Sequence, residues 1–181
     1  MILVRSPCPS RTAGRTRWTY IRRRVRRDQP SVGARPPPLG VKSICDGTIV
    51  THIARDRGDG RRGSSGNSKI GQRAVTHLRW MQQLGDYSLV ECRLETGRTN
   101  QIRIHLSEKG HLVCGDVKYR QPFAATAIDD VSGAPRLALH AAELGFVHPL
   151  SQAEVFFTMP LPPDLERFVQ RLRRHQERQS R

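Results

Sequence analysis

Between Leu94 and Leu106 the chain reads LETGRTNQIRIHL, with Arg98 and Arg103 five residues apart among apolar neighbours. A guanidinium fork matches a carboxylate or a phosphate with two parallel hydrogen bonds, so this spacing calls for an acidic counterpart. Gly97 permits a backbone bend, and Thr99 or Asn100 could cap a helix whose free N–H groups attract an anion. Yet Ile102, Ile104 and Leu106 alternate with Arg103 and His105, the period of a strand. A short helix buried on two faces gives the same alternation, so the pattern leaves both open.

Several elements must position these residues. GTIVTHIARD predicts a strand near 48–54, followed by the glycine- and serine-rich loop DRGDGRRGSSGNSK. The RGD within that loop is read as a chance match. AVTHLRWMQQL and DYSLVECRLE predict two antiparallel strands joined at Gly85-Asp86, with Trp80 in the core. LALHAAELGFVHP and AEVFFTMP predict two more around Pro149 to Gln152. In PPDLERFVQRLRR, Leu165, Phe168, Val169 and Leu172 recur at i, i+3, i+4 and i+7, the stripe of an amphipathic helix. Its Asp164 and Glu166 fall in the first turn and Arg171, Arg173 and Arg174 toward the end, and the helix dipole is expected to account for them.

The 181 residues hold 31 Lys+Arg against 16 Asp+Glu, a formal charge of +15. Met1 to Cys45 carries ten arginines and one lysine against Asp28 alone, so +10 lies there and +5 in 46–181. Such an excess favours a polyanion, above all nucleic acid. From Met1 to about Gly40 no strand or helix period is visible, which predicts a disordered tail. The alternatives are an RNA-contacting arm with Trp18 and Tyr20 stacking among arginines, or a reading frame translated out of register. No apolar run approaches the roughly 18 residues of a membrane span, and MILV is too short for a signal-peptide core. Cys8, Cys45, Cys92 and Cys114 lie far apart without zinc-ligand spacing, which argues against a metal or disulfide framework and for a cytoplasmic location.

LETGRTNQIRIHLSEKGHLVCGDVKY, then PRLALHAAELGFVHP, then FTMPLPPDL resembles the C-terminal part of the RluA/RluD-type pseudouridine synthases. The family pattern is TGRTHQIRVHL, GHP(I/V)xGDxxYG, RxxLHAxxLxFxHP and PLPxDL, four ordered blocks over some ninety residues. The resemblance implies a pseudouridine synthase-like α+β fold: a mixed, mainly antiparallel sheet with short flanking helices, incomplete at its N-terminus. It divides the chain into a basic, low-pattern segment 1–45 and a partial catalytic domain 46–181. It also implies isomerisation of uridine to pseudouridine in ribosomal or transfer RNA, on a flipped base and without cofactor or metal.

Residue by residue, the resemblance makes Arg103 the partner of the family's catalytic aspartate. It sets Arg98, Asn100 and Gln101 against RNA, with Arg98 either touching phosphate or bracing the turn. Gly97, His105, Gly115, Asp116, Tyr119, Arg136 and His140 become scaffold near the site. His105, His111, His140 and His148 are expected to make structural hydrogen bonds rather than bind a metal. Asn100 departs from the family's His, Leu112 from its Pro and Arg120 from its Gly. The H-R-L-D segment bearing the aspartate, and a K-x-Y-x-A-L-V segment, do not occur in these 181 residues. Asp46, Asp56, Asp59 and Asp86 read as turn carboxylates. The expectation is therefore an Arg103 without its acid, in a monomer truncated or frame-shifted upstream, inactive alone and with bare sheet edges prone to aggregate. The alternatives are a non-catalytic RNA-binding remnant, or a basic structural protein binding RNA through Met1 to Cys45.

Overall fold

A computed structural model describes residues 2–5, 19–23, 46–65, 69–121 and 127–179, the first two stretches by their backbone. Among the described residues the strands are β1 (Ile2–Arg5), β2 (Thr19–Arg23), β3 (Gly47–Ala54), β4 (Gly63–Ser65), β5 (Gln72–Leu84) and β6 (Tyr87–Leu94). After helix α1 (Gln101–Glu108) come β7 (Leu112–Val113), β8 (Ala141–Val147), β9 (Glu154–Thr158) and helix α2 (Pro163–Gln179). The strands form one mixed sheet in the order β4-β3-β5-β6-β1-β2-β8-β9, with β7 paired to β1. β2 runs parallel to β6 and β8, and the other pairings are antiparallel. This is the α+β class the family resemblance implies.

The β5–β6 hairpin closes at Gly85-Asp86, as the sequence predicts. Gly85 takes φ 62° at the first loop position, where primed hairpin turns need a positive value. Around Pro149 to Gln152 the β8–β9 hairpin also forms, although its first strand starts only at Ala141. Leu165, Phe168, Val169 and Leu172 of α2 are buried against Leu84, Leu89, Cys114 and Ala138. Each such side chain contributes roughly 1.5–3 kcal/mol by leaving water.

Two expectations fail in the basic segment. Ile2–Arg5 and Thr19–Arg23 are strands, where no period was visible. Both are short runs with β-branched or aromatic members (Ile2, Val4, Thr19, Tyr20, Ile21), and their order comes from non-local pairing with β6. They pair along β6, where bare sheet edges were the general expectation: Leu3 pairs Leu89, and Thr19 pairs Val90. The readings placed on the rest of Met1 to Cys45, Trp18 included, lie outside the described residues.

The ambiguous QIRIHL is a helix. Gln101, Ile102, Ile104, His105, Leu106 and Ser107 of α1 are all buried. Ile102 and Leu106 pack with Ile49, Leu78, Val90, Cys92 and Val113, while Ile104 packs with Ile53, Ala74 and Tyr119. Apolar residues enclosed from two sides produce the alternation that imitates a strand.

Candidate functional site around Arg103 and Asp116

The turn before α1 is built by Gln101. Its side-chain amide nitrogen, Nε2, donates to the Val75 carbonyl (2.9 Å) and to Thr76 Oγ1 (3.0 Å). Its Oε1 accepts from Thr96 Oγ1 (2.8 Å) and from the Arg98 amide (3.0 Å), and Thr96 Oγ1 accepts from the Val75 amide. Gln101 is only 2% exposed. The expectation that it contacts RNA is therefore corrected: both ends of its amide are spent on protein, and it braces the turn to β5. The left-handed residue of the turn is Asn100 (φ 59°), and no side-chain bond caps the helix there. Gly97 is an exposed member of the turn outside the positive-φ set. Exposed Arg98 donates Nε to the Arg73 carbonyl (3.2 Å), bracing the turn while its guanidinium faces solvent.

Arg103 is not without an acid. Its Nε donates to Asp116 Oδ2 and its Nη2 to Oδ1, both at 2.7 Å, the two-pronged pairing a guanidinium makes with a carboxylate. Asp116 Oδ1 also accepts the backbone amides of Lys118 and Tyr119, each at 2.9 Å, and the side chain is 1% exposed. The reason lies in the loop after β7, which turns at Asp116 and folds its carboxylate back beneath α1. The bond to Asp116 raises the Arg103 pKa, so its charge is permanent. The Arg103 guanidinium stands 4.9 Å from the centre of the Tyr119 ring, and Nη1 donates to Asn100 Oδ1 (3.1 Å). Asn100 Nδ2 in turn donates to the Tyr119 hydroxyl (3.3 Å), so Asn100, Arg103, Asp116 and Tyr119 form one closed group.

Three of the five guanidinium N–H groups are engaged here. Two remain, on Nη1 and Nη2, at a side chain 16% exposed. Asp116 holds the guanidinium still, with its two unengaged N–H groups at the partly exposed end. Asp116 itself accepts four donors and is enclosed, so its lone pairs are spent on scaffold.

The remaining residues frame this group. His105 bonds Thr76 Oγ1 through Nδ1 (2.9 Å) and Thr51 Oγ1 through Nε2 (2.8 Å), tying α1 to β3 and β5. Burial lowers its pKa to about 4, with Lys109 adding to the effect, so the ring is neutral at pH 7. Gly115 has φ 74°, and a Cβ there would stand 2.1 Å from the Arg136 carbonyl oxygen. Arg136 pairs its guanidinium with Asp164 (2.6 Å) at the start of α2. His140, just before β8, bonds the Met159 carbonyl just beyond β9 through Nε2 (3.1 Å).

The other carboxylates have turn and loop duties. Asp46 accepts the Trp80 amide, and Asp56 accepts the Gly58 and Gly60 amides. Arg57 and Asp59 of the RGD fork onto each other at 2.8–3.1 Å, so the tripeptide is occupied internally. The sequence reading missed Thr51, Thr76 and Thr96, which serve His105 and Gln101. Single threonines, whether in strands as Thr51 and Thr76 are or in the turn as Thr96 is, carry no sequence signal for such a duty.

A mixed sheet, a buried helix begun by an arginine turn, and a guanidinium fixed on a buried carboxylate define an α+β protein with a rigid, partly exposed cation. Residues 42–108 match the family described as RNA pseudouridylate synthase. An uncharacterised RNA pseudouridine synthase of Bacillus subtilis, YlyB, is 41% identical over 136 residues, covering 75% of this chain and 42% of that protein. Ribosomal large subunit pseudouridine synthase D of Zymomonas mobilis is 48% identical over 97 residues, covering 53% of this chain and 31% of its own length. Among solved structures, human RNA pseudouridylate synthase domain containing 1 aligns with TM-score 0.50 at 27% identity, covering 74% of this chain and 61% of that one. Over these stretches the chain is similar to RNA pseudouridine synthases, and it spans less than half the length of these two curated relatives.

Proposed function

We propose that the chain is the arginine-bearing part of an RNA pseudouridine synthase that isomerises uridine in ribosomal or transfer RNA, and that residues 46–181 are a partial catalytic domain. The observation that carries this reading is Arg103, locked by Asp116 at one edge with two N–H groups unused. In this reading the catalytic aspartate of an H-R-L-D segment docks on that free end, where the guanidinium keeps it ionised and aimed at the flipped uridine. Arg98 and Asn100 flank the RNA path, and Asp116, Tyr119 and His105 hold the frame. The chain acts in the cytoplasm as a monomer, without metal or cofactor. As the 181 residues contain no H-R-L-D, the chain alone is inactive.

Conversion of unmodified ribosomal and transfer RNA transcripts is the test. The purified chain is expected to form no pseudouridine, and a fusion supplying the H-R-L-D segment in family order is expected to form it. Substituting Arg103→Met in that fusion should remove at least about 100-fold of the rate, as loss of a group oriented toward the transition state does. Turnover by the unfused chain would show that another acid serves. Failure of the fusion, with RNA still bound, would favour the binding-only remnant, a reading supported by the saturation of Asp116.

A further inference from the structure

The helix dipole was expected to account for Arg171, Arg173 and Arg174 of α2, and it does not. The dipole acts within the first and last turns. The helix runs on to Gln179, so Arg178 is the basic residue of its last turn, and Arg167, Arg171 and Arg174 lie in its body. These four recur at i, i+4, i+7 and i+11, which confines them to an arc of about 60° and a length of about 16 Å. All four are exposed and stand opposite the stripe Leu165, Phe168, Val169 and Leu172.

The stripe borders a concavity of about 310 Å³, lined by Gly133, Pro135, Arg167, Arg171 and Arg174 together with the Arg136-paired Asp164. Arg171 is fixed over it: Nη2 donates to the Ser132 and Gly133 carbonyls, and the guanidinium lies 5.0 Å from the Phe168 ring centre. Glu166 and Glu177 lie roughly a quarter turn round the helix. No ion pair among the described residues joins either to Arg167, Arg174 or Arg178.

We infer that this arginine face of α2 is a docking surface for RNA phosphates, separate from the Arg103 group. The inference rests on the reading of the chain as RNA-directed. A membrane surface is the poorer partner, since a helix lying in a bilayer interface must offer its apolar face, and that of α2 is spent on the core. Guanidinium groups suit phosphate because their forks match its oxygens. The concavity joins the catalytic frame through Arg136, whose side chain holds Asp164 and whose carbonyl abuts Gly115 beside Asp116. RNA lying on α2 would thus be presented to the turn from a fixed side.

The test compares salt dependence of affinity for a fluorescently labelled RNA stem-loop, using the full chain. Arg167→Gln/Arg174→Gln/Arg178→Gln removes three arginines that make no hydrogen bond among the described residues. Arg73→Gln/Arg79→Gln/Arg93→Gln removes the same charge from β5 and β6. The first variant should flatten the slope of log K against log salt by about 2 to 3, because each phosphate contact contributes about 0.7–0.9. The corresponding triple Arg→Lys variant should keep most of the slope. An unchanged slope, or an equal loss in the sheet control, overturns the inference and leaves the isomerase reading standing. Absence of RNA binding by the parent chain at low salt would overturn both.

Discussion

His105 shows how one buried side chain couples fold to pH. Its two nitrogens lie between Thr51 and Thr76, whose hydroxyls can each donate or accept, so a neutral ring satisfies both bonds. Burial lowers its pKa to about 4, and His111 is lowered to about 4 by the same cause. In the unfolded chain both return to about 6.5. Between about pH 6.5 and 4 the unfolded state therefore binds more protons than the folded one, and stability falls as pH falls. Each histidine should contribute about 2–3 kcal/mol to that loss. Urea unfolding midpoints at pH 7, 5.5 and 4.5 should descend in order, and less steeply in His105→Asn. A midpoint flat across this range would exclude neutral burial of the two rings.

At the scale of elements, two glycines with similar positive φ make a comparison. Gly85 has nothing within 4 Å of an added Cβ, whereas Gly115 has the Arg136 carbonyl at 2.1 Å. Gly85→Ala should cost about 1 kcal/mol, the strain of the left-handed conformation alone. Gly115→Ala should cost about 2–4 kcal/mol, because strain and overpacking add. Thermal melts of the two variants should separate clearly, and equal shifts would mean that the loop from Ser132 to Arg136 yields freely.

The same elements show what periodicity can and cannot carry. The β5–β6 and β8–β9 hairpins and the core stripe of α2 were legible because each pattern is local and repeats over several turns or strand pairs. For α1, burial from two sides left helix and strand indistinguishable. β1 and β2 were hidden because four or five residues make no period, and their partners lie far off in the chain. The family blocks located Arg103 and Asp116 separately, but their fork depends on how the loop after β7 folds under α1. Thirteen residues of separation carry no spacing rule for such a pair.

At the scale of the molecule, the sheet formed by the described residues ends at β4 on one side and at β9 on the other. β9 leaves Phe156 (51%) and Phe157 (56%) exposed, with Leu144 (41%) paired to Phe157 across the β8 ladder. Phe146 and Phe157 stack at 6.3 Å. An apolar edge strand of this kind templates pairing with another chain, in contrast to the short β4. Phe157→Lys should raise the concentration at which the chain begins to self-associate, as followed by light scattering. Onset at the same concentration in the variant would place the contact away from β9.

The Arg136–Asp164 and Arg103–Asp116 pairs lie on either side of Gly115, one exposed and one enclosed. Dissolved ions weaken exposed pairs far more than enclosed ones. Brine would therefore loosen the Arg136–Asp164 contact first, while α2 stayed seated on its apolar stripe and the Arg103 guanidinium kept its posture on Asp116.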